Sequence, residues 1–139
     1  MSHFTDAEIA YLQSQRLGRI ATVGPDGHPH VVPVGFRYNP ELDTIDIGGH
    51  DFAKRKKYRD VQHNPWVAFV VDDLASTSPW RPRMLEVRGT AEILGSGGEQ
   101  VIPGGAAEMF RILPHRIVSI GIESGENFGW SARSIPSPA

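Results

Sequence analysis

Basic side chains are concentrated in one short segment near the middle of the chain. Five of them fall within six positions and form the basic cluster of Lys54, Arg55, Lys56, Lys57 and Arg59. The whole chain has 14 Lys and Arg residues against 16 Asp and Glu residues, so the cluster is a positive island on an acidic protein. Such an island favours a local site for an anion over a generally basic surface.

The position of the basic cluster supports this hypothesis. The cluster lies at the start of a predicted helix, where free amides and the helix dipole already favour an anion. It also follows Gly48, Gly49 and His50 at a strand end, where backbone can approach a ligand closely. A helix face that contacts only solvent is the alternative, because such faces also carry many charges.

Pro33 is a second feature with a bearing on ligand binding. It interrupts the strand segment Val32-Pro33-Val34 and removes a backbone donor, which predicts a sheet edge or a bulge. Together with Gly35, the segment offers exposed backbone against which a flat ring can lie. An edge strand protected against aggregation explains the same proline, and both interpretations stay open.

Arg81 and Arg83 are the third feature. They follow Trp80 and flank a proline at the start of a predicted strand. The planar guanidinium group binds phosphate or carboxylate through two parallel hydrogen bonds, so the pair suits an anionic ligand. Surface ion pairs with Glu86 or Asp72 are the alternative.

Several kinds of chemistry are disfavoured. The chain has no cysteine, which removes disulfides and thiolate catalysis and fits a reducing compartment. The six histidines lack the spacing of a metal site, so we expect no metal. No glycine fingerprint for nucleotides, nucleophile elbow or triad spacing occurs, and no catalytic residue is identified. The longest apolar runs are about six residues, whereas a membrane helix needs roughly 20, so we expect a cytoplasmic protein without membrane contact.

The periodicity of apolar residues predicts six or seven strands and two helices. A capping box at Thr5–Glu8 begins the first helix, which runs to about Gln15, and the second helix spans Asp51–His63. The strands are Leu17–Val23, His30–Tyr38, Thr44–Gly48, Trp66–Asp72, Arg83–Leu94, Met109–Ile112 and Arg116–Ile122.

Other expectations concern burial, loops and the overall fold. The apolar run at 66–71 is expected to be buried on both faces, residues 76–79 to form a polar loop, and residues 95–105 to be mobile. The fold class is mainly β, an antiparallel barrel that curls to remove its edges. Residues 1–134 are expected to form one domain, and residues 135–139 a disordered tail.

Four segments, in this order, resemble the flavin and deazaflavin oxidoreductases related to pyridoxamine 5′-phosphate oxidase. The segment Lys57-Tyr-Arg-Asp-Val-Gln-His-Asn-Pro65 resembles the family's lysine-containing phosphate segment. The other three are the hairpin at 19–34, the core strand at 86–92 and the closing strand at 114–119. Trp80-Arg-Pro-Arg83 followed by Glu-Val-Arg-Gly is most similar to a deazaflavin-dependent subgroup.

The resemblance implies a homodimeric split β-barrel, Greek-key-like, with a cofactor cleft where the subunits meet. It implies that Lys57 contacts the cofactor phosphate, with help from the neighbouring cations Lys54, Arg55 and Lys56. The cofactor ring is implied to lie against Val32, Pro33 and Val34 and against the strand end at Gly49 and His50. One departure is that Phe52 and Ala53 stand where the family often has a hydroxyl for the phosphate.

Two cofactors are compatible with this resemblance. FMN has one phosphate, whereas coenzyme F420 has a phosphodiester and a poly-glutamate tail. The five clustered cations, together with Arg81 and Arg83, suit the longer anion better. We therefore expect hydride transfer from reduced coenzyme F420 to a small organic acceptor, with His50 as a conceivable proton donor. The alternatives are an FMN-dependent oxidoreductase and a non-catalytic barrel that binds a flavin, a deazaflavin or nucleic acid. The acidic remainder of the chain and the lack of aromatics between the cations disfavour nucleic acid.

Overall fold

The computed structural model describes residues 2–123 and 127–136. Within them lie seven strands, three α-helices and two short 3-10 segments. The helices are α1 (Asp6–Ser14), α2 (Lys56–His63) and α3 (Gly98–Val101), and the 3-10 segments are Phe52–Lys54 and Asn127–Gly129. The strands are β1 (Leu17–Val23), β2 (Pro29–Asn39), β3 (Thr44–Gly48), β4 (Trp66–Thr77), β5 (Trp80–Leu94), β6 (Met109–Ile120) and β7 (Ser131–Ser134).

All seven strands belong to one antiparallel sheet in the order β3-β2-β1-β4-β5-β6-β7. An additional pairing of β3 with β6, in which Ile45 lies opposite Ile112, joins the two sides of the sheet into a closed ring. The predicted fold class, an antiparallel split barrel, is thereby confirmed. The short β1–β2 turn at 24–28 follows the predicted glycine turn, with Gly27 at a φ of 80° that favours glycine.

Side chains that point inward from alternate strand positions form the core. Ile20, Phe69, Leu85, Phe110 and Ile117 are all fully buried. Because successive side chains in a strand point to opposite faces, this pattern leaves the other face of the sheet outside the barrel.

Strand β4 is buried on one face only, so the prediction of burial on both faces is wrong. Val67, Phe69 and Val71 point into the core, whereas Ala68 and Val70 are partly exposed. The apolar run therefore has apolar residues on its outward face as well, and the described chain does not cover that face.

The second half of the chain is more regular than the sequence indicates. Strands β4 and β5 continue until only Ser78 and Pro79 separate them, so half of the predicted polar loop at 76–79 is strand. The two predicted closing strands are one strand, β6, with a register irregularity opposite Gly89. The segment at 95–105, expected to be mobile, contains helix α3, and the added strand β7 pairs with β6.

The predicted helix Asp51–His63 is broken at Arg55, which corrects the sequence prediction. Arg55 is extended, with φ −85° and ψ 153°, between the 3-10 segment and α2. Phe52 explains the break because its ring is fully buried, 4.6 Å from the Phe110 ring centre and 5.8 Å from the Tyr58 ring centre. Anchoring this ring in the core gives the chain before α2 a different path from an ideal helix.

The two ends of the described chain are connected through a buried carboxylate. The predicted capping box is confirmed, with Thr5 and Glu8 exchanging hydrogen bonds of 2.9 and 3.1 Å. Glu8 is fully buried and forms an ion pair with Arg133 of β7, which also donates to the carbonyl oxygen of His3.

Residues 135–139 were predicted to be a disordered tail. Ile135 packs against the core, and its amide donates to the His115 carbonyl oxygen at 2.7 Å. Residues 137–139 lie outside the described residues. In the part of the chain that is described, no helix has the length and apolar composition needed to cross a bilayer.

Candidate functional site

Lys57 is the central residue of the predicted anion site, and no carboxylate in the described part of the chain pairs with its side chain. Its side chain is half-buried, and its Nζ atom lies 5.2 Å from the centre of the Phe52 ring. No carboxylate among the described residues lies within 4.0 Å of this Nζ atom. Burial lowers the pKa of Lys57 below its usual range, and the nearby charge of Arg55 lowers it further. A half-buried ammonium without a counter-ion is a favourable place for an anion.

The start of helix α2 adds backbone donors beside Lys57. Arg55 is the N-cap residue, and its carbonyl oxygen accepts from the amides of Tyr58 at 3.1 Å and Arg59 at 3.3 Å. The amides of Lys56 and Lys57 have no hydrogen-bond partner among the described backbone groups. Free amides at the first turn of a helix point along the axis and favour negative charge.

Lys56 has a different role from its neighbour. Its Nζ atom contacts the Asp60 carboxylate at 3.0 and 3.2 Å, and Asp60 also accepts from the Thr22 hydroxyl of β1 at 2.8 Å. Burial alone would raise the pKa of Asp60, but the hydrogen bonds from Lys56 and Thr22 outweigh it and hold the pKa below its usual value. Lys56 therefore joins α2 to the barrel instead of extending toward a ligand.

The remaining cations of the cluster surround the same helix start. Arg55 Nε donates to the His50 carbonyl oxygen at 3.2 Å, and Arg59 donates to the Lys54 carbonyl oxygen at 3.1 Å. Lys54 and Arg55 are exposed, so their charges stay available at the rim. The basic cluster therefore contacts the strand end at His50. This contact joins the cations predicted to bind the phosphate to the strand end predicted to bind the ring.

The strand segment around Pro33 has one open edge. Pro33 pairs with Arg19 of β1, but β3 pairs with β2 only from Gly35 onward, where Gly35 lies opposite Gly48. Within the described residues the other edge of 29–34 is therefore unpaired, as expected for a proline position. Gly49 and His50 lie beyond the end of β3, and the Gly49 carbonyl oxygen accepts from the Ala106 amide at 2.9 Å. The predicted ring-binding residues Val32, Pro33 and Val34 therefore lie on the open edge of β2, while Gly49 and His50 follow the end of the neighbouring strand β3.

Arg81 and Arg83 are not equivalent. Arg83 forms a two-point contact with Asp73 and lies 5.0 Å from the centre of the Tyr11 ring. The hydrogen bond from Arg83 lowers the pKa of Asp73, while burial and the hydrogen bond to Asp73 raise the pKa of Tyr11. Arg81 is exposed, and its side chain forms no ion pair or hydrogen bond with a described residue.

The ion pairing proposed as the alternative for Arg83 is present, but with a partner that the sequence analysis did not consider. Glu86 pairs with Arg88, and Asp72 pairs with Arg19. Asp73 was missed because it is placed opposite Arg83 only by the β4–β5 register. Asp60 was missed as well, although its spacing of four residues from Lys56 is a visible helical signal.

No catalytic side chain is identified by this geometry. His50 is exposed in the turn that follows β3. Among the described residues, no group of three or more His, Asp or Glu side chains is placed to hold a metal ion. The structure thus offers a half-buried cation and free amides at the start of α2, and an open strand edge at 29–34.

Comparisons with known proteins identify the family of the chain. The family model of pyridoxamine 5′-phosphate oxidase matches residues 4–113. A 5a,11a-dehydrotetracycline/5a,11a-dehydrooxytetracycline reductase from Streptomyces rimosus is 47% identical over 132 residues, which cover 95% of this chain and 93% of that protein.

Solved structures show the same fold at low sequence identity. An FAD binding protein from Mycobacterium smegmatis has a TM-score of 0.63 and 22% identity, with 86% of this chain and 96% of that chain covered. A pyridoxamine 5′-phosphate oxidase-related, FMN binding protein from Nostoc punctiforme has a TM-score of 0.59 and 12% identity, with 93% and 91% covered.

Proposed function

The chain belongs to the pyridoxamine 5′-phosphate oxidase family, and we propose that it is a reductase whose hydride donor is reduced coenzyme F420. The coarser statement, an oxidoreductase with a flavin-type cofactor, is supported by the family and by the 47% identical reductase. The single observation that carries the proposal is Lys57, a half-buried cation that lacks a carboxylate partner among the described residues.

The residues present fit a phosphate-bearing deazaflavin. Lys57 and the free amides at the start of α2 would hold the phosphate, because they offer positive charge without an internal partner. The open edge at Val32, Pro33 and Val34 would contact the ring, since backbone without a ladder partner can form hydrogen bonds there, and Gly49 would lie beside it. The bound cofactor supplies the hydride, and these residues supply its orientation.

The preference for coenzyme F420 over FMN comes from the surplus of cations. One phosphate needs one or two positive charges, and Lys57 with the helix amides already provides them. Lys54 and Arg55 are exposed beyond that point, and their side chains have no carboxylate partner among the described residues. A poly-glutamate tail would bring the negative charges that these two side chains can pair with.

The acceptor class follows from the reductase relative. Its name refers to a tetracycle with a carbon–carbon double bond between positions 5a and 11a. We propose an acceptor of the same kind, an unsaturated fused-ring ketone, in which the hydride adds to one carbon of the double bond and a proton to the other. The exposed position of His50 would let it or solvent deliver that proton.

A homodimer is part of the proposal because the outer face of the sheet is apolar. Ala21 of β1 pairs with Val31 on one side and Ala68 on the other. Val31 is 65% exposed and Trp66 is 54% exposed in the isolated chain. A second copy would cover this face, and light scattering on the eluted protein should therefore give twice the mass of the chain.

The decisive experiment is a calorimetric titration of the purified protein with coenzyme F420, with FMN and with single-stranded DNA. We expect coenzyme F420 to bind more tightly than FMN. The difference in affinity should become smaller at higher salt, because salt screens the charges of the coenzyme F420 tail. Binding of FMN alone would instead identify an FMN-dependent oxidoreductase. Binding of DNA alone, with a steep salt dependence, would reject both enzyme functions.

A further inference from the structure

We propose that the turn at residues 102–105, which follows helix α3, forms one wall of the acceptor site. In this proposal Ile102 and Pro103 contact the acceptor while it lies on the cofactor ring. The inference rests on the reductase function and the ring position proposed above, and it assigns residues that determine which acceptor can reach the ring. The sequence analysis gave this segment no role in the site.

The outer side of the sheet is the accessible side of the open edge of β2. Successive side chains of a strand point to opposite faces. Val34 is buried and Val32 packs against the core, so these side chains fill the inner side. Val31 and Pro33 point outward and are exposed. An acceptor has to lie face to face with the ring to receive a hydride, and we therefore place it on the outer side.

The next outward position along β2 is Gly35, and a side chain of the turn takes the space that a side chain at Gly35 would fill. A Cβ atom at Gly35 would overlap the Cδ1 atom of Ile102. Gly35 lies opposite Gly48 of β3, where a Cβ atom would be 3.1 Å from the Gly98 carbonyl oxygen. The two glycines thus allow α3 and the turn to lie directly on the outer face, one outward position away from Pro33.

The turn is fixed by hydrogen bonds at both ends. The amide three residues after Ile102 donates to the Ile102 carbonyl oxygen at 2.8 Å and closes the turn. Pro103 and Gly104 occupy the two central positions, where a type II turn favours proline and then a glycine, and Gly104 has a φ of 80°. The Ala106 amide donates to the Gly49 carbonyl oxygen at 2.9 Å. The turn therefore has a defined position beside the strand end at which the ring is proposed to lie.

The side chains of the turn favour an apolar ligand surface. Ile102 is partly buried, Pro103 is exposed, and residues 102–105 include no charged side chain. Apolar side chains gain free energy when a ligand removes their surface from water, and the walls of small-molecule sites are predominantly apolar. An acceptor with extended fused rings would gain this contact, whereas a small hydrophilic acceptor would not.

A second copy of the chain is the competing occupant of the turn. The outer face that we propose to be covered in a homodimer includes Val31, which is one outward position from Pro33. A second copy that extended further would also bury Ile102 and Pro103. The acceptor is favoured because the turn contacts both strands that border the ring position, β2 at Gly35 and the end of β3 at Gly49.

The test is calorimetry of the protein saturated with oxidised coenzyme F420, with tetracycline as the probe. Tetracycline has the fused rings of the proposed acceptor, and the oxidised cofactor has no hydride to transfer. We expect Ile102→Ala to weaken tetracycline binding about tenfold and Pro103→Ala about threefold, because each removes apolar contact area. Tetracycline should bind more weakly to the cofactor-free protein, in which the ring is missing as a stacking partner.

Val101→Ala is the matched control from the same segment. Val101 packs over Gly48, within the β2–β3 ladder, and it lines a separate cavity beside Arg37 and Asp46 to which no residue of the turn contributes. The variant loses apolar contacts of a similar kind without changing the proposed wall. It should bind tetracycline as the unmodified protein does, and all three variants should retain coenzyme F420 binding.

Three results would overturn the proposal. The first is tetracycline that does not bind to the cofactor-loaded protein. The second is an equal loss of affinity in Ile102→Ala and Val101→Ala, which would show that the segment acts only through its packing. The third is an Ile102→Ala protein that light scattering shows to be monomeric when the unmodified protein is a dimer, which would assign the turn to the second copy.

Failure of the proposed function gives different results. If FMN is the cofactor that binds, the same titration is made with the FMN-loaded protein. Loss of tetracycline affinity in Ile102→Ala but not in Val101→Ala would then support the wall and reject coenzyme F420 as the hydride donor. The same pattern in a coenzyme F420 complex that reduces no acceptor would reject the reductase function and retain the wall as a fused-ring binding surface.

Discussion

The start of helix α2 and the start of strand β5 each place two cations close together, and in each region one cation is held by an internal carboxylate. Lys56 is held by Asp60, and Arg83 is held by Asp73. A count of basic residues in the sequence therefore overstates the charge that a ligand can use. In each pair one cation stabilises the fold, and the other, Lys57 or Arg81, can bind a ligand.

The two available cations differ in their surroundings, and the difference indicates two kinds of ligand. Lys57 is half-buried beside helix amides, where a compact anion such as a phosphate gains most. Arg81 is exposed at a cavity that Trp80 and Phe128 also line, so an anion bound there would stay largely in contact with water.

The largest expected effect concerns the carboxylates that hold the fixed cations. Asp60→Ala should lower the free energy of unfolding by about 2 to 3 kcal/mol, because the buried Thr22 hydroxyl loses its acceptor and Lys56 loses its partner. Asp73→Ala should cost less, since that carboxylate is 28% exposed while Asp60 is 3% exposed. Urea denaturation of both variants measures the difference. An equal loss of unfolding free energy in the two variants would show that the burial of the carboxylate does not determine its contribution.

The next effect separates the two neighbouring lysines. Lys57→Met should weaken coenzyme F420 binding roughly tenfold to a hundredfold, the usual range for a lost charge-assisted hydrogen bond. Its melting temperature without cofactor should not fall, because the half-buried charge is removed. Lys56→Met is the matched control and should show the opposite, a lower melting temperature with a much smaller change in affinity. Equal affinity losses in both variants would contradict separate roles.

A smaller effect separates the two arginines. Arg83→Gln should lower the free energy of unfolding by about 1 kcal/mol, a modest value because the ion pair with Asp73 is about one-third exposed. Arg81→Gln should change stability by less than about 0.5 kcal/mol, as for most surface positions. Thermal unfolding measures both, and an unstable Arg81 variant would show that Arg81 has an internal role.

The smallest effect is a dependence of stability on pH. The pKa of Asp60 and that of Asp73 are both lowered in the folded protein, so these groups stabilise it fully above their unfolded values near about 4. This stabilisation should be lost as the pH falls through the folded-state values. Unfolding free energies at pH 7, 4 and 3 should therefore decline less in Asp73→Asn than in the unmodified protein. Parallel declines would show that Asp73 contributes nothing to the acid dependence.

Elements with local signals were predictable from the sequence. The capping box at Thr5 and Glu8 begins α1 where predicted, and the bounds of β1 and β3 are those expected from alternation and glycine turns. The break at Arg55 was not predictable, because it results from the burial of Phe52 against residues more than 50 positions away. Strand β7 was missed because its four residues, at 131–134, show no apolar alternation.

The candidate site was predicted as a set of residue types but not as a set of roles. The resemblance singled out Lys57 and gave Lys56 an assisting role at the phosphate, whereas the exact start of α2 directs Lys56 to Asp60. Arg83 meets Asp73 through a register that no local pattern specifies. The cavity lined by Trp80 and Phe128 was not predicted, because these residues lie far apart in the sequence.

The ion pair between Glu8 and Arg133 affects when the protein can fold during synthesis. Its partners are separated by 125 positions, and Glu8 is fully buried when α1 is docked. A carboxylate that enters the barrel before its cation has left the ribosome would lose hydration without compensation. We therefore expect the newly made chain to keep α1 undocked until its last strand emerges, so that ribosome-bound fragments that end before Arg133 leave α1 accessible to protease.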